Sequence, residues 1–388
     1  MKASLFISRK LKFKSGIAMT CIAISFLVMI IAVAISSGFR NEVRRGLSSI
    51  SGDIQLTPPN LNVLDSSRPI EKEPAYLPYI REIDGVESVS PVIYRAGIIK
   101  QNDNIHGVLF KGVEGGVDTL SLSVSIPGRL SEISGIRPGD KMTAYFIGDK
   151  VRLRQFTVSS VYDALIETDD KLVVYASLSD LQRLDGWNGN QISAFEIILD
   201  DSHKNETDIH ALTQEVGAYV NAYSDDSESP VVAVASVSRY PQLFDWLDLI
   251  DFNVFFILLL MIIVAGFNMI SGLLIMLFEN ISTIGLLKAL GMTDRAISNV
   301  FLSSSAVLVS KGMVIGNAIA FLFCLIQNYT HLFELNPENY FVSYVPVHVD
   351  FTAILLADLA AFVGIMLLLL IPTLFISRID PAQTVRVK

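Results

Sequence analysis

Apolar positions fall on three periods along this chain, and each predicts a different element. Four runs are almost continuously apolar: 17–37, 253–278, 297–327 and 352–376. Each has the about 20 residues a helix needs to cross a bilayer. Residues 39–251, between the first two runs, alternate with a period of two in several places. VESVSPVIYRAGIIK (86–100) and IHGVLFKGV (105–113) are the clearest, and 141–147, 151–162, 171–176 and 192–199 follow; all six read as strands. Helical stretches are predicted at 74–83, 178–184 and 206–217. Ile126-Pro127-Gly128-Arg129 and Arg137-Pro138-Gly139-Asp140 read as turns or exposed loops. The long interval is therefore an α+β domain.

Three further stretches carry a helical period. Residues 37–51 continue the first apolar run outward, stop at Gly52 and lead into a strand at 53–57. Residues 239–252 place Leu243, Leu247 and Ile250 on one side and Asp245, Asp248 and Asp251 on the other, which predicts an amphipathic helix feeding the second run. The patch ENISTIGLLKALGMTDRA (279–296) joins the second run to the third. In it Thr283, Leu286, Leu287 and Leu290 share one helical face, with Ile284 at its edge and Gly291 as the stop. A short apolar-sided helix between two crossings calls for a partner.

Composition and charge orient this scheme. The chain has 388 residues, 51% of them hydrophobic, which places it among membrane proteins. Residues 40–250 hold 19 Lys and Arg against 31 Asp and Glu, a balance of −12. The first 14 residues hold five basic residues and no acid. The positive-inside rule then puts both termini and the 279–296 hairpin in the cytoplasm and the large domain outside it. An acidic exterior domain argues against nucleic acid as a partner. The expected layout is a basic N-terminus (1–16), crossings at 17–38, 252–278, 297–327 and 352–376, a domain with helical stalks (39–251), the hairpin (279–296), an exterior link (328–351) and a cytoplasmic tail (377–388). The first run reads as an uncleaved anchor rather than a secretory signal, although Ala32-Val33-Ala34 has the small-x-small form of a cleavage site.

Candidate chemistry is sparse. No phosphate loop, HExxH, GxSxG or metal-spaced His cluster occurs. Cys21 and Cys324 both fall within apolar runs, so no disulfide framework or metal site follows. No catalytic residue and no metal ligand is expected. Lys311 and Asp358 are charges inside apolar runs, and such residues snorkel, pair between helices or line a cavity. Gly312 and Gly316 have the spacing that lets two helices approach closely, and Pro372 is expected to kink the fourth crossing. Phe252, Phe255, Phe256, Met261, Met269 and Met276 on the second crossing are candidates to line a path for acyl chains, or else pack against lipid and protein.

Four patches together resemble one family: SLFISRKLKFKSG with the following SGFRNEVRRGL and GDIQL, YPQLFDWLDLIDFNVFFILLLMIIVAGFNMIS, FENISTIGLLKALGMTDRAISNVFL, and PTLFISRIDPAQTVR. The chain resembles an FtsX/MacB-type ABC transporter permease. The second patch is most similar to the LolC/LolE lipoprotein-releasing subunits. Asn280 stands where that pattern has a basic residue, and Ser37 where it has Asn. The resemblance implies a bacterial inner-membrane permease with a MacB-like periplasmic domain, acting as a dimer of identical or paralogous permease chains. It implies a separate ABC ATPase subunit that binds ATP and Mg, this chain holding no cofactor. That ATPase would dock on a coupling helix formed by Glu279, Ile284, Gly285, Leu287, Lys288, Ala289, Leu290 and Gly291. Arg378, Asp380 and Pro381 would belong to a cytoplasmic tail motif. The implied activity is extraction of a lipoprotein from the membrane lipids and its handover to a periplasmic carrier. A MacB-like export permease and an FtsX-like mechanical signal to a cell-wall hydrolase stay open beside it.

Overall fold

The first helix, α1 (Gly16–Ser51), continues past its apolar run because FRNEVRRGLSS has no Pro or internal Gly stop until Gly46 and ends only at Gly52, where φ is 70°. The computed structural model describes residues 16–59, 61, 68–101, 104–115, 122–148, 151–164, 172–336, 340 and 342–377. The basic start and Arg378, Asp380 and Pro381 lie outside those residues.

In chain order α1 is followed by β1 (Ile54–Thr57), β2 (Ile70–Glu71), α2 (Leu77–Arg81), β3 (Val86–Gln101), β4 (Asn104–Val113), β5 (Ser123–Pro127) and α3 (Gly128–Ser134). Next come β6 (Lys141–Phe146), β7 (Arg152–Tyr162), β8 (Val173–Ser177), α4 (Leu178–Asp185), β9 (Gln191–Ile192), β10 (Ala194–Leu199), α5 (Glu206–Tyr223), β11 (Val232–Ala235) and α6 (Ser236–Arg239). The chain closes with α7 (Pro241–Glu279), α8 (Ile281–Ala289), α9 (Asp294–Thr330), α10 (Phe351–Leu368) and α11 (Leu370–Ser377). Four of these segments are long and apolar enough to cross a membrane: α1, α7, α9 and Phe351–Thr373. The chain divides into two compact units. One holds the described residues to Arg40, Trp246–Phe333 and those from Val345 onward; the other holds Asn41–Asp245 and Glu334–Tyr344.

The membrane unit packs its helices through two apolar clusters, the larger of which joins all four spans. Ile22, Phe26 and Met29 of α1 meet Ala265, Met269 and Leu273 of α7, Val309 of α9 and Ala361 and Ile365 of α10. Small residues set the closest approach: a Cβ on Gly316 would strike the carbonyl of Ala23, and one on Gly312 would come within 2.6 Å of Ile22. Pro372 interrupts the last crossing at Leu369, between α10 and α11, because its ring clashes with the carbonyl four residues earlier and its nitrogen donates nothing.

In the second unit β3 serves two sheets. Its first half pairs with β10, which pairs with β1, which pairs with β11. Its second half pairs with β4 on one side and, at Ile98 and Ile99, with β6 on the other. The order β3-β4-β8-β5-β7-β6 therefore closes on itself as a barrel, with Phe110, Phe146 and Phe156 filling its interior at ring separations of 4.9–6.3 Å. The architecture is thus four candidate membrane helices and a mixed α/β domain.

Two expectations need correction. Ile126-Pro127-Gly128-Arg129 is no exposed turn: it is the end of β5 and the start of α3, with Ile126 and Leu130 fully buried. Pro127 holds an extended φ of −70° before the helix, a conformation that Pro-Gly shares with turns. Helix α5 also runs to Tyr223 rather than stopping near Gly217, because its buried row Ile209, Leu212, Val216 and Val220 continues through that glycine.

Candidate functional site

The turn between α7 and α9 is built from a break and two caps. Asn280 leaves helical geometry at φ −109°, and its side-chain amide donates to the Met276 carbonyl at 2.9 Å. Helix α8 then folds back until Gly291, at φ 87°. Thr293 caps α9 by accepting from the amide of Ala296. Lys288 Nζ lies 2.9 Å from Asp294 and pins the end of α8 to the start of α9.

This hairpin has two faces. Ile284 is fully buried with Met276, Leu277, Ile297 and Phe301, and Leu287 and Met292 pack against the same core. Gly285 is buried beside Ile284. Thr283, Ala289 and Gly291 are exposed, as are Leu286 (56%) and Leu290 (76%). Phe278 and Glu279 are exposed at the end of α7. The expected face Thr283–Leu286–Leu287–Leu290 is therefore split. Leu287 and Ile284 anchor the helix, while Leu286 and Leu290 present apolar surface outward. The residue period could not separate them, because 286 and 287 lie only one position apart around the helix.

The two intramembrane charges do not meet each other among the described residues. Asp358 is buried and accepts a hydrogen bond from Asn317 Nδ2 at 2.6 Å, joining α10 to α9. Lys311 is exposed beside an open cavity of about 720 Å³ lined by Met19, Ala306, Val307, Ser310, Val314 and Ile315. The six candidate path residues are likewise divided. Phe252, Phe255 and Phe256 are exposed, with Phe256 in edge contact with each of the other two. Met269 and Met276 are buried in the helix core, and Met261 packs against it. Those methionines pack between helices of one chain, and of the six candidates the three phenylalanines are the exposed ones.

Two polar clusters had no counterpart in the sequence reading. On α1, Arg40 lies 2.7 Å from Asp248 of α7 and bonds Asp251, which also accepts from the Ser36 hydroxyl. Phe39 meets Trp246 edge-on beside this clasp. The Asp245–Asp248–Asp251 stripe was legible as a polar side, but its partner lies more than two hundred residues away. The second cluster sits where α1 ends. Lys111 Nζ lies 2.7 Å from Glu196 and donates to the carbonyls of Ser49 (2.7 Å) and Ile50 (3.1 Å). The Tyr94 hydroxyl bonds Glu196 and lies 3.2 Å from the Ile50 carbonyl, and the Tyr175 hydroxyl donates to Ser49 at 3.2 Å. Burial pushes the Glu196 carboxyl up and the Lys111 ammonium down, and their pairing opposes both shifts. Burial, then the Glu196 charge, pushes Tyr175 up to about 12, so it keeps the proton it donates. No group of three His, Cys, Asp or Glu side chains that could hold a metal occurs among the described residues.

Comparison with known proteins matches both units. The FtsX-like permease C-terminal family covers residues 255–381. The MacB-like periplasmic core domain family covers residues 15–219, more than half of the chain. A protein of Xylella fastidiosa (strain 9a5c) named lipoprotein-releasing system transmembrane protein LolC is 21% identical over 94% of this chain and 92% of its own length. A protein of the same name from Neisseria meningitidis serogroup B (strain ATCC BAA-335 / MC58) is 20% identical over 97% and 94%. The crystal structure of the periplasmic region of MacB from Actinobacillus actinomycetemcomitans matches 51% of this chain and 94% of that one, at 17% identity and a TM-score of 0.31.

Proposed function

The chain belongs to the FtsX-like ABC transporter permeases that carry a MacB-like periplasmic core domain, and from that premise we propose that it is the permease subunit of a lipoprotein-releasing system. A separate ATPase subunit binds ATP and Mg, and docks on the outward face of α8. ATP-driven closure of that ATPase displaces the hairpin, the spans move, and a lipid-modified protein is drawn from the outer leaflet of the inner membrane and passed to a periplasmic carrier. A second permease chain completes the path. Each acyl CH₂ withdrawn from lipid costs about 0.8 kcal/mol, so the process needs both an energy source and an apolar route. The exposed Phe252, Phe255 and Phe256 are suited to line that route, with membrane lipids as its starting point.

The observation that carries this reading is the hairpin: a short helix held rigidly by Ile284, Leu287 and the Lys288–Asp294 pair, with Leu286 and Leu290 left uncovered. An amphipathic helix of this kind suits a groove on a soluble partner. The full-length names of the two relatives, covering nearly the whole chain, favour lipoprotein release over other cargo. Purification in mild detergent should recover an ABC ATPase with the chain. In proteoliposomes, ATP should release a fluorescent diacylated peptide. Absence of any ATPase overturns the permease reading. An ATPase with a periplasmic adaptor, or with activation of a cell-wall hydrolase and no release, overturns the lipoprotein reading alone.

A further inference from the structure

We propose that the Lys111–Glu196–Tyr94–Tyr175 cluster is the coupling point through which α1 drives the barrel of the globular domain, with Lys111 as its positioning residue. The proposal rests on the permease reading, in which movement of the spans must reach that domain.

Helix α1 is covalently continuous with β1 through Gly52 and Asp53 alone. Strand β1 lies in the open sheet and, among the described residues, pairs with β10 and β11 alone. A displacement carried by the backbone therefore enters the open sheet first. The barrel strands β4 and β8 share no pairing with β1. They reach the helix end by side chains: Lys111 comes from β4, Tyr175 from β8 and Tyr94 from β3. Glu196 of β10, the neighbour of β1, ties the ammonium back to the open sheet.

The chemistry suits a transmitter. The last carbonyls of a helix lack intrahelical partners and carry the negative end of its dipole. Water or a glycine cap satisfies them in most helices. Here a buried ammonium and the Tyr175 phenol do so, and Lys111 is only 3% exposed. A buried charge that loses partners is costly, and release of the Ser49 and Ile50 carbonyls would leave the Lys111 ammonium with Glu196 in place of three acceptors. Lys111 therefore follows those carbonyls as α1 shifts, and β4 with it. Lys111 also stacks 5.7 Å over the Tyr175 ring, which adds β8 to the same unit. On the return path Ser236 donates to the Asp53 carbonyl and Arg239 bonds Gln55, both of them on or beside β1.

The test compares the full chain, co-purified with its ATPase, as wild type and as Lys111→Met with Glu196→Leu. Removing both charges together keeps the volume and avoids leaving one ion unpaired. Amide hydrogen exchange is measured with and without ATP trapped by vanadate. In the wild type, trapping should change exchange in β1, β4 and β8. In the double variant the change in β1 should persist, while that in β4 and β8 should fall at least fivefold. Release of the diacylated peptide per ATP hydrolysed should fall with it, ATP hydrolysis itself staying within twofold. Lys111→Arg, which keeps a cation on the carbonyls, should restore the response in β4 and β8. Equal nucleotide responses in wild type and double variant would overturn the role of the cluster and leave the permease reading standing. A wild-type domain that shows no nucleotide response overturns the transmission together with the reading beneath it.

Discussion

The two ends of the long helices that enter the globular domain and the hairpin solve opposite problems. At the close of α1 the Ser49 and Ile50 carbonyls are met inside the protein, by Lys111 and Tyr175. At the close of α7 the chain turns through α8 and keeps apolar surface in reserve: Leu286 and Leu290 stay uncovered while their neighbours Ile284 and Leu287 are packed away. One end is bonded within the fold and the other keeps apolar side chains uncovered. A helix terminus that fastens to its own domain spends polar groups on the backbone carbonyls. The hairpin closes its backbone locally, with Asn280, Thr293 and the turn at Gly291, and leaves side chains exposed.

The contrast is broken most severely by single changes at the sealed end. Lys111→Ala or Glu196→Ala leaves a buried ion alone and should cost about 3–5 kcal/mol of stability, seen as a lower midpoint in thermal unfolding of the full chain. Lys111→Met with Glu196→Leu should recover most of that loss, since it removes both ions. If the singles unfold no earlier than the wild type, the end of α1 is not sealed by this pair.

At the open end the expected effect is on association and not on folding. Leu286→Asp with Leu290→Asp should weaken binding of the ATPase by about 30-fold or more, the scale of losing an interface anchor worth about 2 kcal/mol, with the melting temperature unchanged. Leu287→Asp should do the reverse and lower the melting temperature, because Leu287 packs into the helix core. Quantitative pull-down alongside a thermal scan separates the two outcomes, and a stability loss from the Leu286 and Leu290 pair would erase the distinction between the faces.

Smaller effects sharpen the comparison. Asn317→Ala removes the bond between α9 and α10 and should lower stability in detergent by about 0.6–1.7 kcal/mol; no change in melting would mean that Asp358 needs no partner there. The slightest signal is expected at the surface of the globular domain. Hydrogen bonds from Ser202, then from His203, hold Asp200 down at about 2, and the bond to Asp200 holds His203 above its usual range. The Asp200 contribution is present above the ordinary carboxylate range and is lost as pH falls through about 2. The His203 contribution is present in full below the ordinary imidazole range and is lost as pH rises through its raised value. Asp200→Asn should return His203 towards its ordinary value in an NMR titration, and an unmoved titration would show that the pair does not hold the proton.

Much of the architecture was legible in the chain because it is written in local period. The four apolar runs, the long strands β3 and β4, and the stop at Gly52 each follow from neighbours within one element. Short pieces were not: β11 and β5 have only 4 and 5 residues, and Pro127-Gly128 has the same signature in a turn as at a helix start. The hairpin was visible as an apolar-sided helix by spacing and by resemblance, but its division into Leu287 inward and Leu286 outward was not. Two adjacent leucines are equivalent until a core is present to claim one of them.

The sequence by itself determined that this chain has four spans' worth of apolar helix around a large α/β domain, with a short helix of apolar side between two of them, because burial against lipid or a sheet face imposes a period on each segment. Only the tertiary structure decided what holds the segments to one another. Arg40 finds Asp248 and Asp251 across 208 and 211 positions of chain, and the contacts of Lys111 with Glu196 and the carbonyls of Ser49 and Ile50 join three separate elements. Such partners are set by strand order and helix packing, and a lysine at position 111 looks the same along the chain whether it faces water or caps a buried helix end.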